Sequence, residues 1–281
     1  MFTLNCKGKI VSLEKPLLMG IINVTPDSFY EGHLNAGADE ILRLAEKMIV
    51  EGAGILDIGG QSSRPGSERI TAKEELDRVI PVIQLIRQHF KDIILSIDTY
   101  HSAVAAYAVK EGVSVVNDIS AGEMDPAMIP MVASLKVPYV CMHMKGTPET
   151  MQKNIVYDNV VKEVLDFFIQ KIAACSAAGI HDVIIDPGFG FGKTIEHNFA
   201  LLKELQVFKM LNKPILAGLS RKGTVYKPLN ITAAEALNGT TVLNTLALQN
   251  GASILRVHDV KEAKEAVDLM EVYKCADALM C

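Results

Sequence analysis

Eight short apolar runs set the rhythm of this chain: LLMGIIN from 17, GILDIGG from 54, IILSIDT from 93, VSVVNDI from 113, PYVCMHM from 138, DVIIDPG from 182, PILAGLS from 214 and SILRVHD from 253. Between them lie segments of helical period at 37–52, 71–90, 102–111, 125–135, 156–179, 194–211, 232–250 and 261–278. Eight units of strand then helix predict an α/β fold of the (β/α)8 barrel type. The runs lack strict apolar–polar alternation, as expected of parallel strands covered on both faces. Ahead of the first run, TLNCKGKIVSL carries a central Lys-Gly pair and reads as an N-terminal β-hairpin able to close the bottom of the barrel. No linker, low-complexity tract or shift in composition divides the 281 residues, so residues 1–281 are expected to form one domain.

Composition narrows the partners. The chain is 49% hydrophobic and 22% charged, which is globular rather than disordered, and its 28 basic and 33 acidic residues give a net charge of -5. Such a charge offers no general attraction to nucleic acid or to an anionic membrane, so any anion site must be local. The five cysteines are scattered without metal-ligand spacing and read as free thiols of a reducing compartment. No apolar run approaches the roughly 18 residues of a membrane span, and the N-terminus lacks an apolar signal core. A cytoplasmic protein without nucleic-acid or membrane partners is expected.

In a barrel of this type the C-terminal ends of the strands share one rim, so the residues ending the runs form a set. They are Asn23, then Ser63 and Arg64, Asp98, Asn117, Met142 and His143, Asp186, Ser220 to Lys222, and Arg256 with His258. Each alone has an ordinary reading: Asp98 or Thr99 as a helix cap, Asn117 and Asp118 as a turn, His258 with Asp259 as a surface pair. Polar groups at every exit are a different matter. Asp98, Asn117 and Asp186 suit a flat nitrogen heterocycle presenting paired N–H groups. Arg64, Lys222, Arg256 and His258, with Asn23, suit a phosphate or carboxylate and a divalent metal that keeps several waters.

The segment DPGFGFGKT, 186–194, comes close to the phosphate-binding loop GxxxxGK[ST], but its first glycine is replaced by Pro187. Proline removes a backbone donor there. The glycines read instead as letting the chain pass close to a ligand, with Phe189 or Phe191 as an apolar wall.

Taken in order, GIINVTPDSF (20–29), DIGGQSSRPG (57–66), SIDT (96–99), VNDIS (116–120), MHMKGTPETMQ (142–152), DPGFGFGK (186–193), SRK (220–222) and RVHDV (256–260) resemble the dihydropteroate synthase family across nearly the whole chain. The resemblance implies a (β/α)8 enzyme of folate biosynthesis that joins 4-aminobenzoate to the methylene of 7,8-dihydropterin-6-ylmethyl diphosphate and releases pyrophosphate with Mg2+ assistance. Carried onto matching positions, Asp98, Asn117, Asp186 and Lys222 would hold the pterin edge, with Met142 in its pocket and Arg256 against its ring. Asn23, Arg256 and His258 would hold the diphosphate, and Asn23 its Mg2+. Loops 24–36 and 61–68 would fold over the site, bringing Ser63, Arg64 and Pro65 to 4-aminobenzoate, with Phe191, Lys222 and Gly223 completing that subsite. The same resemblance implies that the 4-aminobenzoate subsite is the target of sulfonamide mimics, and a homodimer formed through helices near the C-terminal end.

An aniline nitrogen is a poor nucleophile, whereas a pterin methylene can become a delocalised cation, so the implied chemistry is dissociative substitution without a covalent enzyme intermediate. The chain departs from the family pattern at Ser63, where threonine is commoner, at Glu31, where aspartate is frequent, and at Gly223, where a serine often meets the 4-aminobenzoate carboxylate. Loss of that hydroxyl turns the role over to backbone N–H groups or to Thr224. Other readings are a pterin-binding methyltransferase, a non-catalytic pterin-binding paralogue and a sugar-phosphate barrel enzyme. The first does not explain SSRPG, SRK and RVHD together, and the last does not explain two inward carboxylates.

Overall fold

The computed structural model describes residues 2–24, 34–61, 67–151 and 155–276, residues 34–36 by backbone alone. Strands β1 (Thr3–Cys6) and β2 (Lys9–Ser12) pair antiparallel with Cys6 opposite Lys9. Their turn, Lys7-Gly8, has φ of 53° and 91°, the two-residue geometry that matches strand twist and that glycine adopts without strain. The expected hairpin is present.

Eight parallel strands follow: β3 (Leu17–Asn23), β4 (Ile55–Gly59), β5 (Ile94–Asp98), β6 (Val115–Asp118), β7 (Tyr139–Met142), β8 (Val183–Asp186), β9 (Leu216–Ala217) and β10 (Ile254–Val257). They run in the order β8-β7-β6-β5-β4-β3-β10-β9, and a parallel bridge from Ile185 to Ile215 joins the two ends into a barrel. Around them lie α1 (Leu34–Val50), α2 (Ala72–His89), α3 (Ser102–Lys110), α4 (Met128–Leu135), α5 (Val160–Ala178), α6 (Ile195–Lys203), α7 (Gly223–Leu229), α8 (Leu237–Gln249) and α9 (Val260–Cys275). The (β/α)8 expectation holds.

Side chains alternate along a strand, so every second residue faces the barrel interior. The lowest inward layer takes one residue from each strand: Met19, Ile55, Ile94, Val115, Val140, Ile184, Leu216 and Ile254. Leu4, Cys6 and Leu13 from the N-terminal segment join the same buried cluster, so the hairpin is a plug in the barrel floor. It is fastened by Asn5 N–H to Asp182 Oδ2 at 2.7 Å and by the Lys7 and Lys9 ammonium groups to the Val109 and Asp92 carbonyls. The alternate residues, among them Leu18, Ile22, Leu56, Ile58, Leu95, Ile97, Val183 and Leu255, pack outward against the helices. Both faces are therefore apolar near the floor, which is why alternation is hard to read in the sequence. Two residues further along, the inward positions become Ile21, Asp57, Ser96, Asn117, Met142, Asp186, Gly218 and Arg256, five of them polar or charged. The next inward step reaches the mouth.

The helices start where local chemistry allows. Thr71 caps α2 through a capping box with Glu74, Asn159 caps α5, and Thr194 caps α6. Residues 205–211, expected to extend a helix from 194, form a separate 3-10 turn, and α8 begins at Leu237 rather than near 232 because Glu235 caps Thr232 in a turn of its own. Helix α7 lies outside the segments expected to be helical, with Gly223 at its start and Pro228 near its end. Among the described residues no helix is long and apolar enough to cross a membrane. Cys6, Cys141, Cys175 and Cys275 are free, and Cys281 lies outside the described residues.

Candidate active site

The inward positions of β4, β5, β6 and β10 meet in a charged network. Asp57 is fully buried, and its Oδ2 accepts from Asn117 Nδ2 at 2.9 Å and from Arg256 Nε at 2.6 Å. Arg256 Nη2 donates to Asp98 Oδ2, also at 2.6 Å. One guanidinium thus ties together two carboxylates. Burial alone would lower its pKa, but Asp57 and Asp98 more than reverse this and keep it charged. Burial raises the Asp98 carboxyl, with Arg256 drawing it back. The network also orients Asn117: a carboxylate only accepts, so Nδ2 faces Asp57 and Oδ1 is left for another donor.

Asp186, at the end of β8, is buried and accepts the Gly188 N–H at 2.7 Å through Oδ1. Burial raises its pKa against the opposing charge of Lys222. Lys222, just before α7, donates to the Phe189 carbonyl at 2.8 Å, and its Nζ lies 4.6 Å from the Phe191 ring centroid. Burial lowers this ammonium to about 8, with Asp186 opposing. Beside these groups is an apolar cluster of Met142 and Phe191 with Tyr100, Ile119, Met144 and Met151. The combination of acceptors, one cation and a flat apolar surface can hold a heterocycle with N–H groups on its edge.

The second half stands on β3, β9 and β10. Asn23 ends β3 and is exposed, and β3 is the neighbour of β10, which carries Arg256 and leads into His258. His258 Nδ1 lies 3.0 Å from Ser220 Oγ. Desolvation first, and then the charge of Arg256, lower the His258 pKa to about 4. Arg256 therefore belongs to both halves.

Of the expected site residues, the structure brings Asp98, Asn117, Asp186, Lys222 and Arg256 into one network of contacts and charges, with Met142 and Phe191 beside it. Gly223 opens α7 next to Lys222. Ser63, Arg64 and Pro65, together with Glu31, lie outside the described residues. Several readings need correction. Gly188 and Gly192 do not make room for a ligand: a Cβ on them would meet the His143 carbonyl at 1.9 Å and the Lys145 carbonyl at 2.4 Å, so they let one loop pass the backbone of another. Phe189 is fully buried and cannot line the mouth, which leaves Phe191. His143 is buried against Lys193, whose Nζ reaches His143 Nδ1 at 2.9 Å and the Gly188 and Phe191 carbonyls at 3.0 Å each, so this pair braces the loop from beneath. Thr99 donates to Glu75 Oε2 rather than capping α3, and Asp259 pairs with Arg221 rather than His258.

Asp57 is a residue of this network that sequence reasoning missed. ILDIG looked like core because four of its five residues carry no charge. The signal was a carboxylate inside an apolar run, at the same inward parity as the floor residue Ile55. Such a charge requires a buried partner, and Arg256 supplies it.

Residues 19–258 match the family model described as pterin binding enzyme. The dihydropteroate synthase of Escherichia coli (strain K12) is 42% identical over 267 residues, covering 94% of each chain. A structure of Xanthomonas albilineans dihydropteroate synthase with 4-aminobenzoic acid aligns with a TM-score of 0.90 and 39% identity, covering 98% of each chain. Another from the same organism, in complex with 7,8-dihydropteroate, aligns at 0.86 with 37% identity, covering 98% of this chain and 100% of that one. Likeness of this extent establishes that the chain belongs to the pterin-binding enzymes, among the dihydropteroate synthases.

Proposed function

We propose that this barrel mouth joins 4-aminobenzoate to the methylene carbon of 7,8-dihydropterin-6-ylmethyl diphosphate by dissociative substitution, with Asp98, Asn117 and Asp186 holding the pterin. The observation that carries the reading is Arg256, bonded to Asp57 and Asp98 on one side and followed two residues later by His258 on the other. It stands where a leaving anion and a developing pterin cation would meet. The carbon–oxygen bond breaks with its electron pair going to pyrophosphate, and Arg256 and His258 stabilise that charge. The acidic groups Asp98 and Asp186 stabilise the positive charge left on the pterin. The amine lone pair of 4-aminobenzoate then forms the carbon–nitrogen bond, and the acidic N–H produced loses its proton to water without a protein base.

Asn23 fits a Mg2+ site shared with the diphosphate, because its amide oxygen is a hard, uncharged donor at an exposed strand end beside β10, and Mg2+ takes most of its ligands from phosphate and water. When bound, the ion would neutralise charge on the departing pyrophosphate. For 4-aminobenzoate, Phe191, Lys222 and Gly223 form the described part of the subsite, and Ser63, Arg64 and Pro65, which follow β4 in the sequence and lie outside the described residues, would complete it. The chain is read as one cytoplasmic barrel domain that forms a homodimer. Exposed apolar stripes on neighbouring helices support the dimer: Val242 and Leu246 on α8, and Leu269, Val272 and Tyr273 on α9.

The test is turnover. Purified enzyme supplied with the pterin diphosphate, 4-aminobenzoate and Mg2+ should release pyrophosphate and dihydropteroate in equal amounts. Pterin binding without turnover would instead mark a non-catalytic paralogue.

A further inference from the structure

Between β9 and β10 a serine and a histidine make a contact whose protons can be counted. Ser220 is buried, and its Oγ accepts the backbone N–H of His258 at 3.2 Å while lying 3.0 Å from His258 Nδ1. A hydroxyl has one proton to give, and a buried one seldom leaves it unpaired. The backbone N–H cannot receive it. Among the described residues the acceptor in reach is Nδ1 of the imidazole. We infer that Ser220 donates its hydroxyl proton to His258 Nδ1 and so fixes the neutral imidazole in the tautomer that carries its hydrogen on Nε2. This deepens the reading of His258 as a diphosphate ligand, and rests on it for its functional half.

The tautomer matters because cations outnumber anions around the ring. Desolvation first, then Arg256, Arg221 and Lys222, disfavour a charged imidazole, and Asp259 opposes them. His258 is exposed at the mouth, yet the lowered pKa favours the uncharged ring in the free enzyme, and the attraction of that ring for an anion depends on which nitrogen holds the hydrogen. With hydrogen on Nε2, the side of the ring away from Ser220 is a donor. With hydrogen on Nδ1, that side is a lone pair and repels a phosphate oxygen.

The surrounding loops hold this contact in place. Arg221, next to Ser220, makes two hydrogen bonds of 2.8 Å to Asp259, next to His258. Its guanidinium also donates to the Ala233 and Ala234 carbonyls, and its own N–H donates to Thr240 Oγ1. Arg221 has φ of 53°, a left-handed conformation that a non-glycine residue keeps only where its surroundings impose it. The clamp brackets the Ser220–His258 hydrogen bond on both loops of the rim. Ser220 is accordingly a positioning residue: it acts on the diphosphate through His258.

Nitrogen-15 spectra of the full-length protein labelled at histidine test this directly, with the His258 signals identified by their loss in His258→Gln. The expected ligand-free spectrum has an unprotonated Nδ1 and a protonated Nε2. Ser220→Ala should shift the population toward hydrogen on Nδ1, and Ser220→Thr, which keeps the hydroxyl, should preserve the original pattern. A protonated Nδ1 in the wild type, or an unchanged tautomer in Ser220→Ala, overturns the inference. Calorimetry with Mg2+ and inorganic pyrophosphate gives the functional half: Ser220→Ala should bind a few-fold more weakly, because part of the ring population then presents a lone pair to the anion. Its affinity for a pterin lacking the diphosphate should be unchanged, which shows that the pocket is intact. Undiminished pyrophosphate affinity in Ser220→Ala, with a loss in His258→Gln, overturns the positioning role. Undiminished affinity in His258→Gln itself refutes the diphosphate reading, and leaves the tautomer to be judged by the spectra alone.

Discussion

Arg256 has a carboxylate on either side at 2.6 Å, and the more buried of the two, Asp57, also holds Asn117. Asp57→Ala would leave Arg256 Nε and the Asn117 amide N–H without their acceptor inside the barrel, with only Asp98 still paired to the guanidinium. It should destabilise the protein by about 3–5 kcal/mol, the usual cost of removing one partner from a buried ion pair. Urea unfolding measures this, and a loss below about 1 kcal/mol, as for a surface pair, would mean that Asp57 does not organise the site. Asp57→Asn keeps the shape but can present an N–H to Asn117, so it should reduce pterin affinity more than it reduces stability. Lys222 gives a pH signature. Burial lowers its ammonium to about 8, so the charge is present below that pH and lost above it. The rate at low substrate should therefore fall as pH rises through 8, and in Lys222→Arg, which does not titrate in this range, that limb should move to higher pH even if the enzyme is slower. An alkaline limb at the same position in the variant would belong to another group.

Among the elements, α7 and the loop after β8 carry the features least visible beforehand. Helix α7 has seven residues with glycine at its start and proline near its end, and α6 and α8 pack against it. Its position turns Gly223 into a test of the 4-aminobenzoate subsite. A Cβ at this residue would meet Lys227 at 3.4 Å and the Tyr226 hydroxyl at 3.7 Å, ordinary contacts, and the backbone is not left-handed. Gly223→Ser should therefore fold normally. A hydroxyl reaching the substrate carboxylate should lower the KM for 4-aminobenzoate by a few-fold, corresponding to about 0.5–1.5 kcal/mol for one hydrogen bond, with little change in kcat. An unchanged KM in steady-state kinetics would place the carboxylate elsewhere. The resemblance of loop 187–193 to a phosphate loop dissolves because Lys193 lies beneath the chain, donating to three carbonyls and in contact with His143 Nδ1.

At the scale of the molecule, the barrel separates support from chemistry along its axis. One apolar residue from each of the eight strands, sealed by Leu4, Cys6 and Leu13, forms the floor, and the charged layers lie above it. Leu4→Ala should cost about 2–4 kcal/mol in denaturant unfolding through the lost burial and the cavity left behind. Its KM values should not move, because no substrate group reaches the floor; a changed KM would show that floor packing is transmitted to the mouth. The proposed dimer is a further test at this scale. Leu246→Lys combined with Val272→Glu should convert it to monomer in sedimentation velocity, while a dimer surviving both changes would put the interface on another face. Stripes of this kind are cheap to solvate singly and costly together, which is why the pair is altered.

The order of strands and helices was legible because hydrophobic period and turn residues act locally, and neither needs the rest of the fold to be read. The same holds for the rim residues: Asp98, Asn117, Asp186, Lys222, Arg256 and His258 all follow apolar runs, and a barrel brings run ends together whatever the details. What sequence alone could not reveal depended on contacts between distant strands. Asp57 and Arg256 are 199 positions apart, and nothing in ILDIG or SILRVHD names the other as its partner. Nor could sequence distinguish Phe189, which turns into the core, from Phe191, which reaches the site, since both sit between glycines in one loop. The tautomer of His258 lies further still from the sequence, because it is decided by which proton a buried serine has left to give. Local periodicity determined which elements form; tertiary structure decided which charges neutralise one another, because desolvation makes an unpaired buried charge far costlier than an exposed one.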